Sequence, residues 1–460
     1  MNLRHSILAA LLGSGVAAVA MPALAQENCK DADRVPITWS TIAGFYTDAM
    51  DEIKAGFESR FCARVQIVPI DNSQLYAKQV IELVGQTGAY DVITLESAEK
   101  AEFAENGWIL PLTDFLKAGH QATLDDVAPA LRSVTMEYDG QLWGLPYYSY
   151  TAGMTYRKDL FEDETEKAAF KARYGYDLAV PTDWKQHRDI AEFFTRKAGD
   201  KLKGQPLAKD FYGVGLMAGP FSDIQDEMSA PLWGGGNDWF LDDGTVPVDA
   251  VEKVVTDYVA LLPFAPPSAT TVTYDGVDNQ MADGLIAMTH GMFLDQFPTQ
   301  VKVEDNVPGA ELAAAPAPGG IGYVGAFLLA VSKTSKHPEL AKEFVAYMGS
   351  RDAQMTFARA GGTTTLMSVL SDPQITAPEN RKKTGAYPVL YGIFNHLADV
   401  GFKSNLFYNP FGAKFYSTMQ IPLQGAAVGQ LTPRQAAENL AQQAADICGG
   451  PCPIKARNGG

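Results

Sequence analysis

The sequence predicts an α/β fold that is divided into two domains. The chain has 460 residues, too many for one ordinary hydrophobic core even after an export segment is removed. Strand-like and helix-like stretches alternate from residue 35 to residue 95, as in a mostly parallel sheet with helices on both faces. Hydrophobic residues make up 46% of the chain and charged residues 20%, which is the balance of a globular protein.

The N-terminus has the pattern of a cleaved secretory signal over residues 1–25. Arg4 gives a positive start, residues 7–20 carry no charge, and Ala23-Leu24-Ala25 is an A-x-A cleavage site. The apolar run is shorter than the roughly 20 residues that a membrane anchor needs. No small-residue lipobox precedes Cys29, so we expect a soluble protein in the periplasm that is cut after Ala25.

The formal net charge is −17. An acidic surface repels nucleic acid and anionic lipid, and it weighs against a phosphorylated ligand. We therefore expect neither nucleic acid nor a membrane surface as a partner.

Four cysteines, Cys29, Cys62, Cys448 and Cys452, lie in the exported part. An even number in an oxidising compartment indicates disulfides. Of the three pairings that are open, we favour Cys29 with Cys62 and Cys448 with Cys452, because the members of each pair are close in sequence. No histidine accompanies either pair, which disfavours a metal site.

The N-terminal elements place a candidate site at the ends of predicted strands. Strands are expected at 35–39, 65–70 and 91–95, with helices between them. Ligands of such sheets lie at the carboxyl ends of strands, which points to Tyr46 and Glu96. Glu96 is equally suited to be a helix-capping carboxylate.

The remaining elements are less regular. Expected are a charged helical region at 163–209, an aromatic and glycine-rich loop at 231–248, strands at 285–289 and 323–331, and helices at 338–349 and 433–447.

Several segments follow one another in a characteristic order, namely Tyr90-Asp91-Val92-Ile93, 107–112, 139–147, 154–161, Pro181-Thr182-Asp183-Trp184, 320–331 and 335–341. In order and spacing they resemble extracellular solute-binding protein family 1, the carbohydrate-type receptors of ABC importers. The resemblance covers about 36–447. It implies a two-lobed periplasmic-binding-protein fold (type II-like) with a hinge and a ligand cleft between the lobes.

The resemblance also implies how the chain is shared between the lobes. The first lobe is expected to hold 26–148 and about 285–335, and the second about 149–284 and 336–460. Where the family usually has paired glycines near a tryptophan, this chain has Tyr323-Val324-Gly325-Ala326-Phe327. Tyr323 and Phe327 are the candidate ligand contacts there.

A polyhydroxylated ligand needs aromatic faces for its C–H groups and polar partners for its hydroxyls. The loop from Trp233 to Trp239 offers both tryptophans as faces, and Asn237 and Asp238 as hydrogen-bonding groups. The alternative is a tight turn with two core tryptophans.

Four further candidates are Tyr147, Tyr148, His290 and Arg359. Alternating tyrosines in a strand can be ordinary packing, so one or two of Tyr147, Tyr148 and Tyr150 are expected to face the ligand. A single histidine is more often structural, and Arg359 is equally suited to a solvated helix end.

The combined interpretation is a periplasmic receptor without cofactor, a monomer that closes on a neutral sugar, oligosaccharide or polyol and delivers it to an ABC importer permease. The alternatives are a secreted carbohydrate-active hydrolase, a sensory receptor that docks on a signalling protein, and a receptor for a peptide, polyamine or sugar phosphate. The G-x-G-x-x-G pattern at 320–325 lacks the strand-then-helix context of a dinucleotide site.

Overall fold

The computed structural model describes residues 29–44, 50–455 and 457. It has the predicted two-lobed α/β architecture, with one main sheet in each lobe and two further two-stranded sheets. The export segment predicted at residues 1–25 and the candidate Tyr46 lie outside the described residues. Among the residues described, no helix combines the length and the apolarity needed to cross a bilayer.

The strands in chain order are β1 Val35–Ile42, β2 Ala63–Ile70, β3 Val92–Glu96, β4 Glu137–Tyr138, β5 Gln141–Leu142, β6 Leu145–Ser149, β7 Met154–Arg157, β8 Lys201–Leu202, β9 Gln205–Pro206, β10 Tyr212–Gly215, β11 Ile286–Thr289, β12 Leu312–Ala315 and β13 Ala326–Val331.

The α-helices between β1 and β4 are Met50–Phe61, Asn72–Val84, Lys100–Glu105, Thr113–Gly119, Gln121–Asp126 and Pro129–Leu131. Those that follow β7 are Lys158–Phe161, Glu164–Tyr174, Trp184–Phe194, Asp223–Gly234, Val248–Val259, Tyr274–Ala282, Phe297–Gln300 and Val303–Asn306. Those after β13 are Pro338–Met348, Arg351–Ala360, Met367–Leu370, Arg381–Thr384, Tyr387–Asp399, Asn405–Tyr408, Gly412–Ala427 and Pro433–Cys448.

The first lobe is built on the sheet β2-β1-β3-β13-β6. Strands β1, β2 and β3 are parallel, and β13 runs antiparallel between β3 and β6. Apolar side chains cover both faces of the sheet: Ile93 and Leu95 pack with Phe103 on one side, while Trp39 and Val92 lie in the larger core on the other. Burial on both faces explains the continuous apolar runs of these strands.

The second lobe is built on the sheet β10-β11-β7-β12. This pairing corrects the expected division of the chain: the resemblance implies that 285–335 belongs to the first lobe, but β11 and β12 lie in the second sheet. The helix Pro338–Met348 packs against β13 of the first sheet, although 336–460 was assigned to the second lobe. A short apolar strand has the same pattern in either sheet, so sequence alone could not assign it.

Two of the connections between the lobes lie side by side. The chain passes from β6 to β7 and returns from β12 to β13, and the two connections are joined by backbone hydrogen bonds from Tyr150 N to Gly325 O (3.0 Å) and from Ala152 N to Tyr323 O (2.8 Å). A Cβ atom on Gly322 would overlap the carbonyl of Ala152, and one on Gly325 would overlap the ring of Tyr150. The glycines at 320–325 therefore serve the close approach of two backbones.

Both predicted disulfides are confirmed. Cys29 is bonded to Cys62, and Cys448 is bonded to Cys452. The first ties the start of the described chain to the turn before β2, and the second closes the end of the last helix.

Replacing both Cys29 and Cys62 by serine is expected to lower the free energy of unfolding by about 3 to 4 kcal/mol. The bridge spans a sequence separation of 33, so its loss frees a long loop in the unfolded chain. The matched Cys448→Ser, Cys452→Ser variant, with a separation of 4, should lose only about 2 kcal/mol. Urea denaturation followed by fluorescence measures both losses, and a larger loss for the C-terminal pair would contradict this ranking.

Candidate functional site

A cavity of about 330 Å³ lies between the two lobes. The first lobe contributes the ends of β1 and β3, the start of the helix Asn72–Val84, and β13. The second lobe contributes the starts of the helices Asp223–Gly234 and Tyr274–Ala282, and the turn after β11. The lining residues include Ile42, Asp71, Ser73, Glu96, Tyr150 and Phe327 on one side, and Phe221, Asp223, Asp226, Tyr274, Asp275, Phe293, Asp295 and Tyr416 on the other.

The position of the cavity follows from the topology. Strand ends and helix starts meet at the same edge of a parallel sheet, and the helix starts direct unpaired backbone N–H groups toward that edge. Asp71 accepts the backbone N–H of Ser73 at 2.9 Å, and Asp223 accepts that of Tyr274 at 2.9 Å. The walls of the cavity are thus fixed by the caps of its own helices.

Tyr150 is the central aromatic residue of the cavity. Its ring lies 4.8 Å from that of Phe327 in the first lobe and 5.6 Å from that of Phe293 in the second. Tyr323 stacks behind it at 6.0 Å. The rings of Tyr150, Phe327 and Phe293 provide apolar area for the C–H groups of a ligand.

Four of the six carboxylates that line the cavity are the most deeply enclosed. Glu96 accepts the hydroxyl of Tyr150 at 2.7 Å, and Asp226 accepts that of Tyr416 at 2.8 Å. The other two are Asp223 and Asp295. Hydrogen bonds from the protein thus orient all four carboxylates.

Asp295 has an unusual environment. Tyr148 donates a hydrogen bond to its Oδ2 atom, and the side chain of Gln296 donates another at 2.7 Å. Its Oδ1 atom has no partner within the described chain, although the residue is only 7% exposed. A buried acceptor of this kind is stabilised when a donor reaches it.

Burial raises the pKa of these carboxyls. The pKa of Glu96 rises to about 7 against the opposing hydrogen bond from Tyr150, that of Asp223 to about 7, and that of Asp295 to about 6. Burial raises the pKa of Asp226 well above its usual range, and the neighbouring charges of Asp223 and Glu96 raise it further. Near neutral pH these four carboxyls are therefore partly protonated, and together they can donate as well as accept hydrogen bonds.

The described wall of the cavity carries no positively charged side chain. No lysine, arginine or histidine is among the described residues that line it. The segment 45–49, which follows Gly44 in sequence, contains none either. Nowhere in the described chain do three or more His, Cys, Asp or Glu side chains form a group that could hold a metal ion.

Of the residues proposed from sequence, Glu96 and Phe327 line the cavity. Tyr150, one of the three tyrosines considered together, lines it too. Tyr147 lies deeper, where its hydroxyl is 3.2 Å from that of Thr41 and its ring meets Trp39. Tyr148 also lies behind the wall, and it contributes through its hydrogen bond to Asp295.

The loop 233–239 does not reach the cavity. Trp233 is 4% exposed and stacks on Tyr323, and Trp239 is fully buried with its indole N–H on Ser229. Asp238 accepts hydrogen bonds from Trp233 and from Ser404. Both tryptophans therefore belong to the core.

The other candidates also lie away from the cavity. His290 lies with Asn237 at a second cavity, inside the second lobe, and its ring is 4.6 Å from that of Trp184. Tyr323 is fully buried between Tyr150 and Trp233. Arg359 is exposed at the end of its helix, 3.5 Å from the side-chain oxygen of Gln374.

Sequence reasoning missed most of the second-lobe wall. Asp223 and Asp226 follow β10 at the start of a helix, so the strand-end rule that selected Glu96 could have found them. Tyr416 carried no such signal, because it comes from a helix that is packed against the cavity only by the tertiary fold.

Trp239→Phe is expected to lower the free energy of unfolding by about 1 to 3 kcal/mol and to leave ligand affinity within twofold. The change removes buried ring volume and the 2.8 Å hydrogen bond to Ser229. Urea denaturation and ligand titration of the same sample measure the two effects. A large loss of affinity in a well-folded variant would contradict the assignment of Trp239 to the core and would indicate that it contacts the ligand.

The sequence is similar to that of known binding proteins. The family model for bacterial extracellular solute-binding proteins matches residues 43–355. The mannitol-binding protein of Pseudomonas aeruginosa is 24% identical over 296 residues, an alignment that spans 62% of this chain and 62% of that relative.

Solved structures are similar over nearly the whole chain. An ABC transporter solute-binding protein of Agrobacterium radiobacter in complex with ribitol matches with a TM-score of 0.73 at 22% identity, covering 90% of this chain and 99% of that one. One from Agrobacterium vitis with bound D-mannitol matches with a TM-score of 0.67 at 20% identity, covering 89% and 97%. The maltose-bound MalE3 of T. maritima matches with a TM-score of 0.70 at 18% identity, covering 90% and 100%.

Proposed function

Since the chain belongs to the family of bacterial extracellular solute-binding proteins, we propose that it captures a small sugar or polyol in the cleft between its lobes and delivers it to an ABC importer permease. One observation carries the proposal: a single cavity receives aromatic faces and oriented hydrogen-bonding groups from both lobes. A polyhydroxylated molecule needs this combination of surfaces.

The size of the cavity favours a monosaccharide or a linear polyol over an oligosaccharide. Its volume of about 330 Å³ is near the lower end of the roughly 300–1,000 Å³ of ligand pockets. The relatives whose names or bound molecules are mannitol and ribitol support the same size class.

Closure follows from the division of the contacts. A ligand that touches Glu96 and Phe327 in one lobe and Asp226 and Phe293 in the other binds the closed form better than the open form, so it shifts the population toward closure. The paired connections between the lobes at Tyr150 and Gly325 are the place where bending would occur. The closed monomer then presents both lobes to the permease, and the solute leaves chemically unchanged.

The proposal includes the route of the chain to the periplasm. The family is extracellular, and the pattern of residues 1–25 supports an exported precursor that is cut after Ala25.

Calorimetric titration of the exported chain with mannitol, ribitol, sorbitol, glucose, galactose and maltose tests the proposal. We expect at least one of the small solutes to bind with one site per chain, to be recovered intact, and to reduce the radius of gyration in small-angle scattering. Failure of every sugar and polyol to bind, or release of a hydrolysed product, would overturn it.

Phe293→Ala is expected to weaken binding of the tightest of these ligands by about 1 to 3 kcal/mol, roughly 5- to 150-fold, because the second lobe loses its aromatic wall. Tyr391→Ala is the matched control, since Tyr391 is 36% exposed and away from the cavity. Equal affinities of the two variants would contradict the assigned wall.

A further inference from the structure

Every charged side chain on the described wall of the interlobe cavity is a carboxylate. Asp71, Glu96, Asp223, Asp226 and Asp295 line it together with Asp275. None of Glu96, Asp223, Asp226 and Asp295 forms an ion pair with a described residue, because the ion pairs within the described chain all involve other acids. No positively charged side chain of the described residues therefore neutralises these four carboxylates.

The carboxylates face one another across the cleft. Glu96 ends β3 of the first lobe, whereas Asp223 and Asp226 begin a helix of the second. The charge of Glu96 acts on both of them, and it opposes their ionisation. Bringing the lobes together without a ligand therefore brings like charges together in a poorly solvated space.

The cavity also contains a buried acceptor atom that lacks a hydrogen-bond donor. The Oδ1 atom of Asp295 is buried and has no hydrogen-bond partner among the described residues, while its Oδ2 atom is satisfied by Tyr148 and Gln296. A neutral hydroxyl can donate a hydrogen bond to this atom, but it leaves the negative charges of the wall uncompensated. An ammonium group supplies three donors and a positive charge.

We propose that the preferred solute is polyhydroxylated and carries an ammonium group, as in an amino sugar or an amino polyol, and that this group lies between Glu96 of the first lobe and Asp223 and Asp226 of the second. The inference rests on the proposed function and narrows its ligand class.

The charge then contributes to closure. The bound cation replaces repulsion between the lobes with attraction from both sides, so the closed form gains more from the ammonium compound than from its neutral analogue. The same wall excludes uronic acids and sugar phosphates, because no lysine, arginine or histidine among its described residues meets their charge.

Matched pairs of ligands test the proposal by calorimetry at pH 7.5. The pairs are glucose with glucosamine, galactose with galactosamine, and sorbitol with its 1-amino-1-deoxy derivative, and gluconate is the anionic probe. We expect the amine of the best-binding pair to bind at least tenfold more tightly than its neutral partner, and gluconate to give no heat of binding.

The outcomes separate the two proposals. Tight binding of a neutral member, with equal or weaker binding of its amine, overturns the charge assignment and leaves the receptor function standing. Binding of gluconate as tight as that of the amine also overturns it. Absence of binding by all of these compounds, and by the neutral panel above, overturns both.

Two variants locate the charge. Asp226→Asn and Glu96→Gln keep an acceptor for Tyr416 and Tyr150, and each is expected to reduce the ratio of amine to neutral affinity by at least fivefold. Asp305→Asn removes the same charge from the surface, where Asp305 pairs with Lys382 at 2.6 Å, and should leave the ratio unchanged. An unchanged ratio in both cavity variants would place the ammonium group elsewhere and overturn the assignment.

Discussion

Gly325→Ala is expected to weaken binding of the best sugar, polyol or amino analogue by at least about 30-fold, equivalent to about 2 kcal/mol, while the protein still folds. The added methyl group would overlap the ring of Tyr150. That ring must move, because the backbone on both sides is held by the 3.0 Å hydrogen bond between Tyr150 N and Gly325 O. Its movement removes the aromatic centre of the cavity and the hydroxyl that Glu96 accepts.

The cost to stability should be smaller than the cost to binding. Overpacking a core by one methyl group typically lowers the free energy of unfolding by about 1 to 3 kcal/mol, which a protein of this size can withstand. Backbone strain does not add to it, since Gly325 is absent from the described glycines with positive φ. Titration calorimetry and thermal unfolding measure the two effects separately.

Gly392→Ala is the matched control. Gly392 lies inside the helix Tyr387–Asp399, and a Cβ atom there meets nothing within 4 Å. Alanine is a better helix former than glycine, so this variant should gain about 0.5 to 1 kcal/mol in stability and keep its affinity. Equal affinity of both glycine variants would show that the position of Tyr150 does not govern binding.

The parts of the site that sequence could predict are those with a local cause. Glu96 ends a buried strand of a parallel sheet, a position that predicts a ligand contact, and in the structure it lies in the cavity wall. The two disulfides were also predictable, because each joins cysteines that are close in sequence.

The loop 233–239 shows where local reasoning fails. Two tryptophans and an aspartate beside three glycines have the composition of a sugar site, but the same side chains can form a core. The choice is made by Ser404 and Asn405, which hold the carboxylate of Asp238 from far along the chain. No pattern within the loop itself carries that information.

The lobe to which a short strand belongs is also decided at long range. The family resemblance implies that strand β11 lies in the first lobe, but it pairs with β10 and β7 of the second. Its apolar side chains fit a sheet buried on both faces in either lobe. The tertiary pairing settles the choice, and it places the turn with Asp295 opposite β3.

Asp223→Asn is expected to raise the free energy of unfolding of the ligand-free protein by about 2 to 4 kcal/mol at pH 8. Burial raises the pKa of Asp223 to about 7, whereas the unfolded chain ionises this group near pH 4. At pH 8 the folded protein must therefore hold an unfavourable buried charge. Asparagine removes it and can still accept the backbone N–H of Tyr274.

The same argument fixes the pH dependence of the ligand-free protein. A group whose folded pKa is raised contributes stability that is present at low pH and is lost as pH rises through the folded pKa. Glu96, Asp223 and Asp226 all have raised pKa values, so stability should increase by at least about 2 kcal/mol from pH 8 to pH 6.5, although the buried Lys100, whose pKa is lowered to about 7, opposes part of the gain. Below pH 6.5 the gain is opposed by the buried His187, whose pKa is lowered to about 4 and which favours the folded state only while it is neutral.

Urea denaturation at pH 8 and pH 6.5 measures both effects, with Asp243→Asn as the control of opposite sign. Asp243 is exposed in a turn where Thr245 donates hydrogen bonds to its carboxylate, and these lower its pKa, so its amide should be neutral or slightly destabilising at pH 8. The stabilised Asp223→Asn protein should bind its ligand more weakly, because the charge that destabilises the empty cleft is the one that the ligand meets. A variant that is less stable than the parent at pH 8 would contradict the raised pKa, and one that binds an amino sugar as tightly as the parent would remove Asp223 from the binding wall.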